Sequence, residues 1–261
     1  ENIHPEATLV IGDIRNHTTV RQCMKGKDGC FHLAAVASVQ QSVTEWRYTH
    51  EVNATGTVNI FDAAAKVNNN PIPVVYASSA AIYGDNGNVP LEETEIPAPM
   101  SAYGADKLSC EHHAKVAALL HKVPTKGFRF FNVFGPRQDP SSPYSGVISI
   151  FTNRIMDNKA ITIFGDGQQT RDFVYVADVV KHLLAGLEKA DINAEVLNVC
   201  SGESTTIQSL AEMLYSIVDC EPNIRFETAR AGDIKISLGN PAKAIKSLGV
   251  STSVDIKTGL R

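Results

Sequence analysis

The 261-residue chain has no apolar run approaching the roughly 18 residues that a membrane-crossing helix requires. It has no basic surplus: 24 Lys and Arg face 28 Asp and Glu, a formal charge of -4. That leaves no basic footprint for nucleic acid or an anionic membrane, although local cations leave small anionic ligands open. The five cysteines are an odd number and contain no C-x-x-C pair. A disulfide frame and a zinc ribbon are thereby disfavoured, and a reducing compartment is expected. No signal peptide is recognisable, so the expected location is cytoplasmic. Repeats and low-complexity tracts are also missing. What remains, 43% apolar and 20% charged, is the composition of a soluble globular protein with one large α/β unit or two modest domains.

Four short runs in the first half are almost continuously apolar or β-branched: "TLVIGDI" (8–14), "GCFHLAA" (29–35), "PVVYASS" (73–79) and "GFRFFNVFG" (127–135). Strands buried on both faces read this way. Helical patterns separate them. In 53–67, Val58, Phe61, Asp62 and Ala65 fall on neighbouring helical positions; in 101–122, Leu108, His112, Val116 and Leu119 do. Strand–helix alternation of this kind predicts a doubly wound parallel α/β sheet. After Gly135, "PRQDPSSPYSG" reads as a loop leaving the sheet. A smaller mixed α/β lobe follows: a helix over 146–159, a strand over 160–167, a helix over 174–189 with Val180, Leu183, Leu184 and Leu187 on one side, a strand over 195–202, and a helix over 205–218 opened by a capping Thr.

"SAYGADK" sets Tyr103 and Lys107 four residues apart, one turn along the same helix face. A cation beside a phenol favours the phenolate, which a general base requires. The spacing alone is common and equally describes a solvated helix face. Ser79 ends the strand "PVVYASS", and strand ends line the ligand crevice of a doubly wound sheet. It reads either as a hydroxyl for a substrate oxygen or as a turn cap. "GDGQQTRD" (165–172) lacks the Gly-Lys-Ser/Thr ending of a phosphate loop. Arg171 within it is either an anion ligand or a surface partner of Asp172. His32 and "EHH" (111–113) raise the question of a metal, but His112 and His113 are adjacent on a helix and point apart, so none is expected.

Several blocks in order, "GDIR", "HLAAVASV", "VNATGT", "ASSAAIYG", "SAYGADK", "RFFNVFGPRQDP", "FGDGQQTRDFVYVADV" and "RAGD", resemble the extended short-chain dehydrogenases/reductases. The likeness is to their nucleotide-sugar 4-epimerases, and it covers essentially the whole chain. It implies a Rossmann-like NAD-binding domain over 1–135 and 174–200, and a nucleotide-sugar domain over 136–173 and 201–261. It implies Ser79, Tyr103 and Lys107 as catalytic residues. Asp13, Ile14, Leu33, Ala34, Ala35, Asn53, Ser78 and Phe130, with Tyr103 and Lys107, are implied for NAD. Ser79, Asn132, Gly146, Val147, Thr162, Phe164, Arg171, Arg230, Asp233 and Ser237 are implied for a UDP-sugar. A paired arginine set suits a diphosphate because the planar fork meets two oxygens at once. A homodimer through the helices at 53–67 and 101–120 is implied as well.

The family's Gly-rich turn and first two strands are not in these residues, and "TLVIGDI" matches its third strand. The resemblance therefore implies a longer parent with roughly 40–60 preceding residues. It also separates reactions. Dehydratases and decarboxylases of this type carry acids directly after the catalytic Ser or Thr, where this chain has Ala80 and Ala81, which transfer no protons. Epimerisation at C4 is the expected reaction. Ser237 occupies a position where a bulky Tyr is associated with exclusion of N-acetyl sugars, so UDP-N-acetylglucosamine and UDP-N-acetylgalactosamine are expected substrates, with UDP-glucose and UDP-galactose open. A UDP-uronate epimerase, another nucleotide-sugar oxidoreductase and a non-catalytic NAD-binding paralogue are the alternatives.

Overall fold

The computed structural model describes residues 3–67, 69–142, 145–229 and 234–261. Along the chain lie α1 (His17–Met24), β1 (Cys30–His32), α2 (Val39–Thr44), α3 (Trp46–His50), a π turn (Glu51–Thr55), α4 (Gly56–Lys66) and β2 (Val74–Ser79). A 3-10 turn (Ala80–Tyr83) leads towards α5 (Ala102–His121), β3 (Thr125–Phe130), β4 (Asn132–Phe134), α6 (Val147–Met156) and β5 (Ile161–Phe164). Then come β6 (Thr170–Arg171), β7 (Phe173–Tyr175), α7 (Val176–Glu188), β8 (Glu195–Val199), β9 (Thr205–Thr206), α8 (Ile207–Val218), β10 (Ile224–Glu227), α9 (Ala242–Leu248) and α10 (Ile256–Leu260).

The main sheet has the order β1-β2-β3-β8. β1 and β2 pair in parallel, from Cys30 opposite Val74 to His32 opposite Tyr76. Helices connect these strands, which is the α/β organisation expected. Several helix starts are written locally: Asn16, Ser38, Ser101 and Thr206 each accept a backbone N–H from the first turn of the helix they open.

Contacts divide the chain into two units. The first comprises Glu1–Ser78, Ser101–Phe128 and Leu183–Val196. Its core joins α1, α4 and α5 to β2, with Phe61 meeting the Tyr76 ring edge-on at 5.7 Å. Gly56 opens α4 where Ile14 crosses it; a Cβ there would lie 2.6 Å from Ile14 Cδ1. The second comprises Ser79–Met100, Arg129–His182 and Leu197–Arg261. Its core packs Ile207, Leu210 and Leu214 of α8 against Ile161 and Ile163 of β5, and Phe134 meets Phe173 edge-on.

One expectation about local structure fails, and on the helices the buried face is not the one that the larger apolar residues mark. Residues 8–11 form no strand, and Leu9, Val10 and Ile11 are 62%, 56% and 91% exposed. An apolar run becomes a strand only where a neighbouring backbone pairs with it. On α5 the residues His112, Val116 and Leu119 face outward, whereas Gly104, Lys107, Cys110, Glu111, Ala114, Ala117 and Ala118 are buried. Small side chains let the helix approach its neighbours closely, and the larger apolar ones are left outside. On α4, Val58 is likewise exposed while Ile60 and Phe61 are buried. Val180 and Leu184 of α7 are exposed, and the covered residues are Val179, His182 and Leu183.

Candidate active site

The first turn of α5 carries Tyr103, behind a start at which the Ser101 hydroxyl accepts the Gly104 N–H at 3.1 Å. One turn on, Lys107 is only 4% exposed. Its ammonium lies 5.8 Å from the centroid of the Tyr103 ring and donates to the Ala77 carbonyl on β2 at 2.8 Å. Burial lowers the Lys107 pKa from its ordinary value, while Cys110 and Asp106 push it back up. A buried ammonium anchored to a strand and set beside a phenol is the arrangement that general-base chemistry at Tyr103 requires.

Ser79 is the last residue of β2, in extended backbone, and its Oγ accepts the Ala81 N–H at 3.1 Å. It therefore caps the 3-10 turn. That contact uses an oxygen lone pair, and the hydroxyl proton is a separate donor. The turn is ended by Gly84 at φ +63°, where a Cβ would lie 2.0 Å from the Ala98 carbonyl oxygen, so only glycine serves there. Ala80 and Ala81 are both half-buried. Ser78 is buried and donates to the Glu111 carboxylate at 2.5 Å.

For the residues expected at NAD, the structure shows what holds each one. The Asn53 side chain is buried and brackets Val36, accepting its N–H at 2.8 Å and donating to its carbonyl at 3.0 Å. Asn53 thus fixes the loop after β1, along which Leu33 and Ala34 are exposed and Ala35 half-buried. The Asp13 carboxylate accepts from the Arg15 backbone N–H and from its guanidinium, which holds the Asp13 carboxyl below the usual range. Asn59 donates to the carbonyls of Ile14 and Arg15 at 3.0 Å each, which fixes this turn. Phe130, half-buried, ends β3. An exposed strip of small residues, a braced carboxylate and a buried ammonium fit a dinucleotide, which needs flat approach and a few placed polar groups.

The residues expected at the sugar nucleotide lie in the second unit. Asn132 starts β4, and its N–H donates to the Asp172 carbonyl at 3.0 Å. Gly146 and Val147 open α6, whose N-terminus has no side-chain cap among the described residues. Thr162 and Phe164 share the face of β5 opposite the core residues Ile161 and Ile163. Arg171 donates to the carbonyls of Thr170 and Ile234 at 2.8 and 2.7 Å. The alternative partner, Asp172, is fully buried and takes N–H groups from Ser201, Gly202 and Gly239. Ser237 is half-buried, with its N–H on the Thr170 carbonyl at 3.2 Å. Arg230 and Asp233 lie outside the described residues.

How several functional-looking groups are held was invisible in the sequence. Glu111 and Asp106 are buried acids on α5, in places an apolar pattern does not mark. An Asp106 carboxylate oxygen lies 2.7 Å from His50 Nδ1. Tyr83 donates to Asn198 at 2.7 Å and takes a hydrogen bond from the buried Arg129 at 2.8 Å; burial pushes its phenol up to about 12. His32 is buried with Nε2 2.8 Å from the Thr57 hydroxyl. Since Thr57 gives its single proton to the Asn53 carbonyl, His32 donates through Nε2, and burial, then the Lys107 charge, favour its neutral form. Only the strand-plus-polar-helix context brings these groups together.

Residues 1–200 match the NAD dependent epimerase/dehydratase family. Among solved structures, the UDP-glucose 4-epimerase of Thermotoga maritima, determined with UDP-glucose, is 34% identical with a TM-score of 0.94, covering 99% of this chain and 84% of that one. The UDP-N-acetylglucosamine 4-epimerase of Methanobrevibacter ruminantium, in complex with UDP-N-acetylmuramic acid, is 35% identical with a TM-score of 0.92, covering 99% and 82%. The UDP-glucuronic acid 4-epimerase of Bacillus cereus, in complex with UDP-glucuronic acid and NAD, is 30% identical with a TM-score of 0.86, covering 95% and 77%. A family match over most of the chain, on a fold carrying Tyr103 and the buried Lys107 at one helix start, places this protein in the NAD-dependent epimerase/dehydratase family.

Proposed function

We propose that this protein is an NAD-dependent 4-epimerase of UDP-hexoses, acting on UDP-N-acetylglucosamine and UDP-N-acetylgalactosamine and open to UDP-glucose and UDP-galactose. The observation that carries the reading is the Lys107 ammonium, buried and fixed to Ala77 beside the Tyr103 ring. Bound NAD would supply the acceptor, and later the donor, of the two-electron hydride at the sugar C4. Tyr103, as phenolate, accepts the proton of the 4-hydroxyl and later returns it. Lys107 favours the phenolate and offers its remaining N–H groups to the nicotinamide ribose. Ser79 donates its hydroxyl proton to the sugar O4. The 4-keto sugar turns over before the hydrogen returns, which inverts C4.

The N-terminus of α6 at Gly146 and Val147, without a side-chain cap among the described residues, suits a diphosphate, because helix N-terminal N–H groups favour anions. Asn132, Thr162, Phe164, Arg171, Arg230 and Asp233 are assigned to the same sugar nucleotide. Ala80 and Ala81 supply no acid after Ser79, and that supports epimerisation over dehydration or decarboxylation. Ser237 leaves room for a 2-acetamido group.

We also assign residues 1–135 with 174–200 to the cofactor and 136–173 with 201–261 to the sugar nucleotide. A homodimer through α4 and α5 is part of this reading. Val58, Val116, Leu119 and Leu120 are 38–69% exposed there, and covering what remains of each would recover roughly half of the ~1.5–3 kcal/mol that full burial of such a side chain is worth. The test is to purify the protein, measure bound NAD, and follow interconversion of UDP-N-acetylglucosamine and UDP-N-acetylgalactosamine. Tightly bound NAD with epimerisation is expected; a product that has lost water or carbon dioxide would overturn the reading.

A further inference from the structure

Tyr103, Lys107 and Glu111 follow one another at four-residue intervals along α5. Two of them are tied to consecutive residues of β2. The Lys107 ammonium donates to the Ala77 carbonyl at 2.8 Å, and the Ser78 hydroxyl donates to the Glu111 carboxylate at 2.5 Å. Ser78 is 1% and Glu111 3% exposed. A carboxylate taken so far from water is costly unless its oxygens are hydrogen-bonded. Yet the same helix leaves Val116 and Leu119 outside, 46% and 69% exposed. Apolar packing therefore does not explain why an acid occupies the buried side.

We infer that Glu111 is a positioning residue, which locks the rotation and the axial register of α5 on β2 and so holds the Tyr103 phenol in place. A lysine alone, at the end of a flexible four-carbon stem, tolerates both rotation and sliding of the helix. A second attachment one turn further on removes both freedoms. The Ser78 hydroxyl is the strand's half of that lock. The inference rests on the reading of Tyr103 as the group that moves the 4-hydroxyl proton.

Glu111→Ala removes the acceptor, whereas Glu111→Gln keeps an oxygen that accepts the Ser78 proton. Turnover per bound NAD should fall between about tenfold and a hundredfold in Glu111→Ala, the scale of an ångström-sized misplacement of a reacting group. The KM for the UDP-sugar should stay within about twofold, since ground-state binding is untouched. The isotope effect from deuterium at C4 should rise, which a smaller folded fraction would not cause. Glu111→Gln should recover most of the loss. Backbone hydrogen exchange at 103–107 should quicken in Glu111→Ala.

If Glu111→Ala does not fold, Ser78→Ala carries the test. The same loss of turnover with undiminished bound NAD supports the lock; loss of NAD would mean that the Ser78 hydroxyl serves the cofactor and would overturn it. An unchanged isotope effect in Glu111→Ala, or Glu111→Gln no better than Glu111→Ala, would overturn it too. A wild-type protein that binds no NAD and epimerises nothing would instead overturn the function reading, while exchange at 103–107 would still report on Glu111.

Discussion

The Lys107 ammonium stands 5.8 Å from the centre of the Tyr103 ring and is held there by the Ala77 carbonyl. The two side chains work as a unit: the cation cannot swing to solvent, and the phenol cannot lose its charged neighbour. Tyr103→Phe keeps the ring and removes the oxygen. Turnover should fall by about 10²–10⁴, the usual contribution of a placed acid–base group, with bound NAD retained. Near-normal turnover would remove Tyr103 from the reaction.

Burial lowers the Lys107 pKa from its model-peptide value of 10.5, and the nearby Cys110 and Asp106 only partly oppose it. The ammonium form is the one that favours the Tyr103 phenolate. Turnover should therefore decline on the alkaline side before an ordinary lysine would titrate. A kcat profile that stays level to about pH 10 would contradict this.

His32 titrates in the opposite sense to a salt-bridged base. Burial, and then the Lys107 charge, push its pKa down to about 3, against about 6.5 in an unfolded chain. Between these values the unfolded chain holds a proton that the folded one refuses, so stability is lost as pH falls below about 6.5. One proton amounts to a slope of up to about 1.4 kcal/mol per pH unit. Urea unfolding of His32→Gln between pH 4 and 6.5 should show a slope shallower by up to that amount. Equal slopes for variant and wild type would show that His32 titrates normally.

Ser237 is half-buried, with its N–H on the Thr170 carbonyl, the same carbonyl that the Arg171 guanidinium holds. Ser237→Tyr adds a ring at that point. The ratio of kcat/KM for UDP-N-acetylglucosamine over UDP-glucose should fall by about tenfold or more, within what a steric change in a pocket yields. A ratio that does not move would separate Ser237 from the sugar.

The helix at Tyr103 and Lys107 was legible because helix periodicity is local: four residues bring two side chains onto one face whatever surrounds them. The capping Thr that opens α8 was equally local. The buried face of α5 was not legible. Its stripe is alanine and glycine with Lys107 and Glu111 among them, and a polar residue becomes an interior one only when a particular strand offers Ala77 and Ser78 to receive it.

The sequence by itself determined the α/β alternation, the helix starts, the Tyr103–Lys107 spacing and the absence of an acid at Ala80 and Ala81, because each depends on residues close together in the chain. The tertiary structure decided the rest. It decided that Leu9–Ile11 would form no strand, that Ser78 would meet Glu111, that Asn53 would brace Val36, and that His32 would be neutral. Those outcomes depend on which backbone pairs with which and how much water is excluded, and distant segments set both only once they meet.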